Sequence, residues 1–166
     1  MIWLNIFDIV GTIVFAISGA LAGIRKKLDL FGIITLSIVT ACGGGLFRDI
    51  FIGNVPPTLF IDPKYFVVSI LTALFTFFLY PVLMRSSLVL NDKNKLNLFV
   101  ILDAVGLGAF TAFGAKIAIT HNLTDLFSIV CMGVLTGVGG GVLRDVFIRD
   151  IPLILKQEIY ASASAA

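Results

Sequence analysis

The sequence predicts an all-α integral membrane protein, arranged as an inverted repeat of three helices plus three. Three observations carry that prediction. The chain is too apolar for a water-covered surface, it holds five charge-poor runs of bilayer length, and its rarer residues recur 95 or 96 positions further on.

Of 166 residues, 58% are hydrophobic and 13% charged, with a mean hydropathy of +1.07. Soluble domains carry about 25% charged residues, so polar surface is too scarce here to cover a globule in water. The net charge of +2 is too small to point to nucleic acid as a partner. The expected environment is the lipid bilayer.

The first run, 2–24, contains Asp8 and is followed, not preceded, by Arg25, Lys26 and Lys27. That order is the reverse of a cleavable signal peptide. The second run, 31–51, carries a glycine triplet near its end. The third, Tyr65 to Met84, has twenty residues without a charge, enough to cross roughly 30 Å of hydrocarbon. Its Phe and Leu content reads as scaffold facing lipid or another subunit, and Pro81 near its end costs little. The fourth and fifth runs are 96–119 and 126–148. Runs this long are helices, because hydrocarbon offers open backbone no partner and barrel strands are shorter.

The loops set an expected orientation. Arg25, Lys26, Lys27, Arg85, Lys93, Lys95, Arg149 and Lys156 fall on one side, against Lys64 and Lys116 on the other. The positive-inside rule puts the first group in the cytoplasm and the N-terminus outside. Lys116 lies near a helix end, where a long cation snorkels to the interface.

The repeat comes next. Asp8, Gly11, Phe15, Gly19 and Ala20 return 95 residues later as Asp103, Gly106, Phe110, Gly114 and Ala115. Thr40, Gly43–Gly45, Arg48, Asp49, Phe51, Ile52 and Pro56 return 96 residues later as Thr136, Gly139–Gly141, Arg144, Asp145, Phe147, Ile148 and Pro152. A unit of three spans is odd, so its second copy enters the membrane from the opposite face. The whole chain, 1–166, reads as one transmembrane domain, with 5–84 the first repeat and 100–166 an incomplete second. Tyr65 opens the third span and its counterpart is Tyr160, after which only six residues remain. The pattern predicts a sixth span beyond them.

The candidate site residues are those that a membrane helix should lack. Each glycine costs a helix about 1 kcal/mol relative to alanine, and three together invite a kink or break. Broken helices expose carbonyls that can hold a cation, whereas a packing reading has small residues letting helices approach closely. Two triplets at symmetric depth, Gly43, Gly44, Gly45 and Gly139, Gly140, Gly141, each followed by Arg-Asp, favour the pathway reading. Adjacent helical residues diverge by about 100°. Arg48 is therefore expected to pair with Asp145, and Arg144 with Asp49, or each with Asp8 or Asp103. Such pairs serve equally as a latch between repeats or as a gate.

Asp8 and Asp103 would attract cations if they face a cavity. The alternative for Asp103, about two turns into its predicted span, is a first-turn acid complementing the helix dipole. Thr40 and Thr136, with Thr12, Ser18 and Thr111, offer neutral oxygens, although hydroxyls in membrane helices more often bond to the preceding turn. Cys42 and Cys131 lie in apolar spans and His121 in a loop, so no disulfide framework, metal site or cofactor is expected. No Walker A, G-x-S-x-G, H-E-x-x-H or TVGYG-type sequence is present, and nothing supports an enzyme.

With paired "GGGxxRD" motifs, each followed by a proline, on spans two and five, the chain resembles the prokaryotic trimeric intracellular cation (TRIC) channels. The resemblance implies a homotrimer in the inner membrane, with one pore through each protomer. It also implies permeation by monovalent cations, K⁺ chiefly and Na⁺, and gating at kinked spans two and five. The matching positions are Gly43, Gly44, Gly45, Arg48, Asp49, Gly139, Gly140, Gly141, Arg144 and Asp145. That family has seven spans, where five are legible here. Its bacterial members have also been described as possible transporters of a small amino acid, glycine. The rival expectation is thus a secondary transporter of a small zwitterion, with an arginine holding the carboxylate.

Overall fold

The structure, a computed structural model, describes residues 2–85 and 92–156, and among these every regular element is helical. The expected Tyr160 falls outside the described residues. Five long helices are apolar enough to span a membrane. They are α1 (Ile2–Arg25), α2 (Leu30–Phe51), α4 (Lys64–Arg85), α5 (Asp92–Thr120) and α6 (Leu126–Phe147). Two single-turn helices, α3 (Thr58–Ile61) and α7 (Leu153–Lys156), come after α2 and α6. Sequence reading passed over both, because a single turn carries no detectable period.

The repeat is written into the helix ends. Asp29 caps α2 by accepting the Gly32 N–H at 2.7 Å, and Asp125 caps α6 by accepting the Ser128 N–H at 2.8 Å. The Asp125 carboxyl titrates below the usual carboxylate range because that N–H stabilises its anion. At the other end, α2 and α6 close with the same doubled pattern of backbone bonds. Gly53 and Asn54 donate to Ile50 and Asp49; Arg149 and Asp150 donate to Val146 and Asp145. The turning residue is left-handed in both, Gly53 at φ 74° and Arg149 at φ 58°. Helices α1 and α5 also end alike, through Lys27 and Asn122. Their closing residues Leu28 and Leu123 are 95 apart, whereas the caps Asp29 and Asp125 are 96 apart. Thr124 is therefore the inserted residue that shifts the repeat.

Helices α1 and α5 run antiparallel. Gly11 lies against Phe110, Phe15 against Gly106, and Ser18 against Asp103. The first two contacts exchange counterpart residues, as a twofold relation between repeats requires. Phe15 and Phe110, themselves counterparts, meet edge to face with centroids 5.2 Å apart. Helices α2 and α6 cross by the same logic: Gly44 faces the carbonyl of Thr136, and Gly140 faces the carbonyl of Thr40.

The glycine triplets lie inside uninterrupted helices, since α2 and α6 are helical from end to end. The expected break is absent. The glycines instead let two backbones touch, with the Cα of Gly44 only 3.0 Å from where a Cβ on Gly139 would be. Contacts of that closeness offset the helix cost of glycine.

Helix α4 packs on α1 and α2 from outside. Its Val67, Leu71, Phe75 and Phe78 form an exposed apolar stripe, as a lipid- or subunit-facing element should. The interior is the reverse of a soluble core: Thr12, Ser18, Ser37, Thr40 and Thr136 are buried with six charged side chains.

Candidate functional site

Those six charges form two clusters, one from each repeat, and all are more than nine-tenths buried. The first comprises Asp8 on α1 with Arg48 and Asp49 on α2. The second comprises Asp103 on α5 with Arg144 and Asp145 on α6. Each holds two carboxylates and one guanidinium, a formal excess of one negative charge. Burying ions costs several kcal/mol apiece unless partners compensate, so each partner matters.

In both clusters the arginine bonds to the aspartate next to it. Arg48 donates from Nε and Nη2 to Asp49 Oδ1 at 2.9 and 2.7 Å, and Arg144 Nε donates to Asp145 Oδ1 at 2.8 Å. This corrects the expected cross-pairing of Arg48 with Asp145 and Arg144 with Asp49. The arginine stem is long enough to curl across the angle separating neighbouring side chains. The remaining aspartate oxygens are then free to seat the short helices. Asp49 Oδ2 accepts the Thr58 N–H at 2.7 Å, and Asp145 Oδ2 accepts the Leu153 N–H at 3.0 Å. The Arg-Asp dipeptide is thus a hinge pin that fixes the short helix downstream of each glycine helix.

Beyond that shared core the clusters differ. Arg144 also donates to Asp103, as one of the sequence alternatives had it, and to the Ser18 hydroxyl at 2.6 Å. Its guanidinium lies over the Phe99 ring, 4.4 Å from the centroid. One side chain therefore ties α6 to α5 and α1. Arg48 has no such bond to Asp8. It lies over the ring of Phe113, 5.3 Å from the centroid, and Phe113 is the repeat counterpart of Ser18. Asp8 is instead held by the hydroxyl of Tyr65 on α4. Asp103 sits eleven residues into α5, which begins at Asp92. The first-turn dipole reading of Asp103 therefore falls, and its carboxylate pairs with Arg144.

A chamber of about 100 Å³ opens between Asp8, Arg48, Tyr65 and Phe113 and reaches Thr136. It has room for several waters. Beside Asp103 and Arg144 the matching space is only about 10 Å³. The α2–α6 crossing stands between the two. Thr40 and Thr136 line that crossing, yet their hydroxyls bond to Leu36 and Met132 one turn back, each at 2.6 Å. They offer lone pairs to the path but no free donor.

Sequence reasoning missed Tyr65, Phe113 and Phe99 as parts of the site. A tyrosine opening a charge-free span was the available signal, and only the fold shows which acid it meets.

The family model described as Glycine transporter matches residues 5–81 and 100–166. The chain belongs to that family. The UPF0126 inner membrane protein YadS of Escherichia coli K12 is 44% identical over 156 residues, spanning 94% of this chain and 71% of the relative. The UPF0126 membrane protein YvgT of Bacillus subtilis is 37% identical over 161 residues, 97% and 75% of the two chains. The fold is that of the prokaryotic TRIC channels. The structure of the trimeric intracellular cation channel orthologue from Rhodobacter sphaeroides superposes with a TM-score of 0.89 at 32% identity, covering 99% of this chain and 80% of that one. A prokaryotic TRIC channel in 0.5 M KCl superposes equally, at 36% identity, covering 99% and 79%. The Glycine transporter family member described here is thus an all-helical membrane protein, as its motifs predicted.

Proposed function

We propose that the protein is a passive channel for monovalent cations, K⁺ and Na⁺, with one pathway through the helix bundle of each protomer. The observation that carries this is the charge balance of the two buried clusters: each side of the α2–α6 crossing has one more carboxylate than guanidinium. A passage lined this way attracts cations and excludes anions. The similarity to the structures of TRIC cation channels supports the reading. In it, Arg48 and Arg144 constrict the path, Asp8 and Asp103 draw cations in, and the protomers assemble as a homotrimer in the inner membrane. The N-terminus is outside and Arg25 to Lys27 face the cytoplasm.

A second reading has one favourable observation. The chamber beside Asp8 presents a carboxylate and a guanidinium together, which suits a small zwitterion such as glycine, in keeping with the family description. Reconstitution in planar bilayers under asymmetric KCl separates the two. Discrete current steps reversing near the potassium potential support the channel. Silence, with saturable glycine uptake into liposomes, overturns it in favour of the transporter.

A further inference from the structure

The two clusters contain counterpart acids with unlike covers. Asp103 is neutralised directly by Arg144, and Ser18 bridges that pair from α1. Asp8 has no arginine bond. Arg48, the cation placed to cancel it, is engaged by Asp49. What holds Asp8 is a phenol, which fills one lone-pair direction and brings no positive charge to it. The chamber beside it holds about 100 Å³, against about 10 Å³ beside Asp103 and Arg144; the wider space of the second cluster, about 360 Å³, opens on the far side at Asp145 and Phe99 and does not reach Asp103.

The cover also sits on the least embedded of the long helices. Tyr65 is in the first turn of α4, which among the described residues packs chiefly on α1 and α2 and shows its apolar stripe to the outside. Just before it, Lys64 pairs with Asp62 at 2.7 Å, and its ammonium lies 4.9 Å from the centre of the Tyr65 ring. A small shift of the start of α4 would take the hydroxyl off Asp8 without breaking any buried ion pair. No comparable shift frees Asp103.

We propose that Tyr65 is a displaceable cover on a monovalent-cation site formed by Asp8, so that the Tyr65 hydroxyl and a partly dehydrated cation compete for one carboxylate. This rests on the cation-pathway reading and adds to it the residue that sets occupancy of the site. The competition makes Tyr65 a specificity-determining side chain: whatever enters the chamber must replace a neutral hydrogen bond with a positive charge.

The test is a K⁺ titration of melting temperature on the purified protein, with N-methylglucamine holding ionic strength constant. Tyr65→Phe removes the hydroxyl and keeps the ring. It is expected to lower the half-saturating K⁺ concentration roughly tenfold, the factor carried by one released hydrogen bond to a charged group. The double variant Tyr65→Phe/Asp8→Asn is expected to lose the K⁺ response. An unchanged midpoint in Tyr65→Phe, or a full response in the double variant, overturns the proposal. Should Tyr65→Phe fail to fold, Asp8→Asn alone decides: the wild-type K⁺ response must vanish in it, and its persistence overturns the proposal. Currents in bilayers report separately. Stabilisation through Asp8 without currents supports the Tyr65 assignment and sinks the channel, and currents with no effect of Tyr65→Phe on the midpoint do the opposite.

Discussion

The carbonyl oxygen of Thr136 occupies the place where a side chain on Gly44 would have to go. The carbonyl of Thr40 does the same to Gly140, so the α2–α6 crossing is closed by two reciprocal contacts that involve backbone. Backbone cannot swing aside. Gly44→Ala and Gly140→Ala should each lose at least the ~1–3 kcal/mol typical of overpacking, seen as a lowered melting temperature in detergent.

The triplets are not uniform. A methyl on Gly45 would meet only the end of Arg48 at 3.7 Å, and one on Gly141 only Asp103 and Arg144 at 3.6 Å or more. Both distances are ordinary contacts. Gly45→Ala and Gly141→Ala should therefore be neutral or gain up to about 1 kcal/mol of helix propensity. A triplet kept purely for flexibility would instead respond alike at all three positions, and the same melts distinguish the cases.

Arg144 and Arg48 should differ although they are repeat counterparts. Arg144 joins three helices, and its removal strands Asp103 and Asp145 in the interior. Arg144→Ala should cost about 3–5 kcal/mol, the range for a broken buried pair. Arg48 bonds only to its sequence neighbour. Arg48→Ala should cost distinctly less stability while changing single-channel current, read from melts and bilayer recordings on the same preparations.

Asp49 seats α3 through Thr58. Asp49→Asn trades a charge-assisted bond for a neutral one, roughly halving its strength. Amide hydrogen exchange over Thr58–Ile61 should accelerate several-fold, with α1 unaffected. Asp145→Asn should do the same at Leu153.

Acid should loosen the start of α6. The folded Asp125 carboxyl titrates below its ordinary range, so its cap is present above that range and lost as pH falls through the folded value. Asp125→Asn should remove this acid step from exchange rates at Ser128 while leaving rates at neutral pH nearly unchanged.

Much of this architecture was legible in the residue order. Run length set the number of long helices, and the recurrence of Asp8, Arg48 and Asp49 as Asp103, Arg144 and Asp145 located both clusters. The chain of inference failed where it turned spacing into contacts. The 100° rule spoke against Arg48 reaching Asp49, since it describes Cα–Cβ directions and ignores a long, flexible stem. The glycines were expected to kink or break their helices because their cost is local and visible, and no break is present. What they gain, a crossing tight enough for Gly44 to sit under Thr136, is a long-range contact that no local pattern contains.

Residue order alone dictates the solvent, the helices and the recurrence of the two clusters, because hydropathy and repetition are properties of the chain in order. That Asp103 faces an arginine while Asp8 faces Tyr65 is settled by packing in three dimensions. Counterpart residues carry the same local instructions. Their partners come from elements the repeat does not share equally, Ser18 on one side and Phe113 and α4 on the other, and those neighbours give two like acids unlike environments.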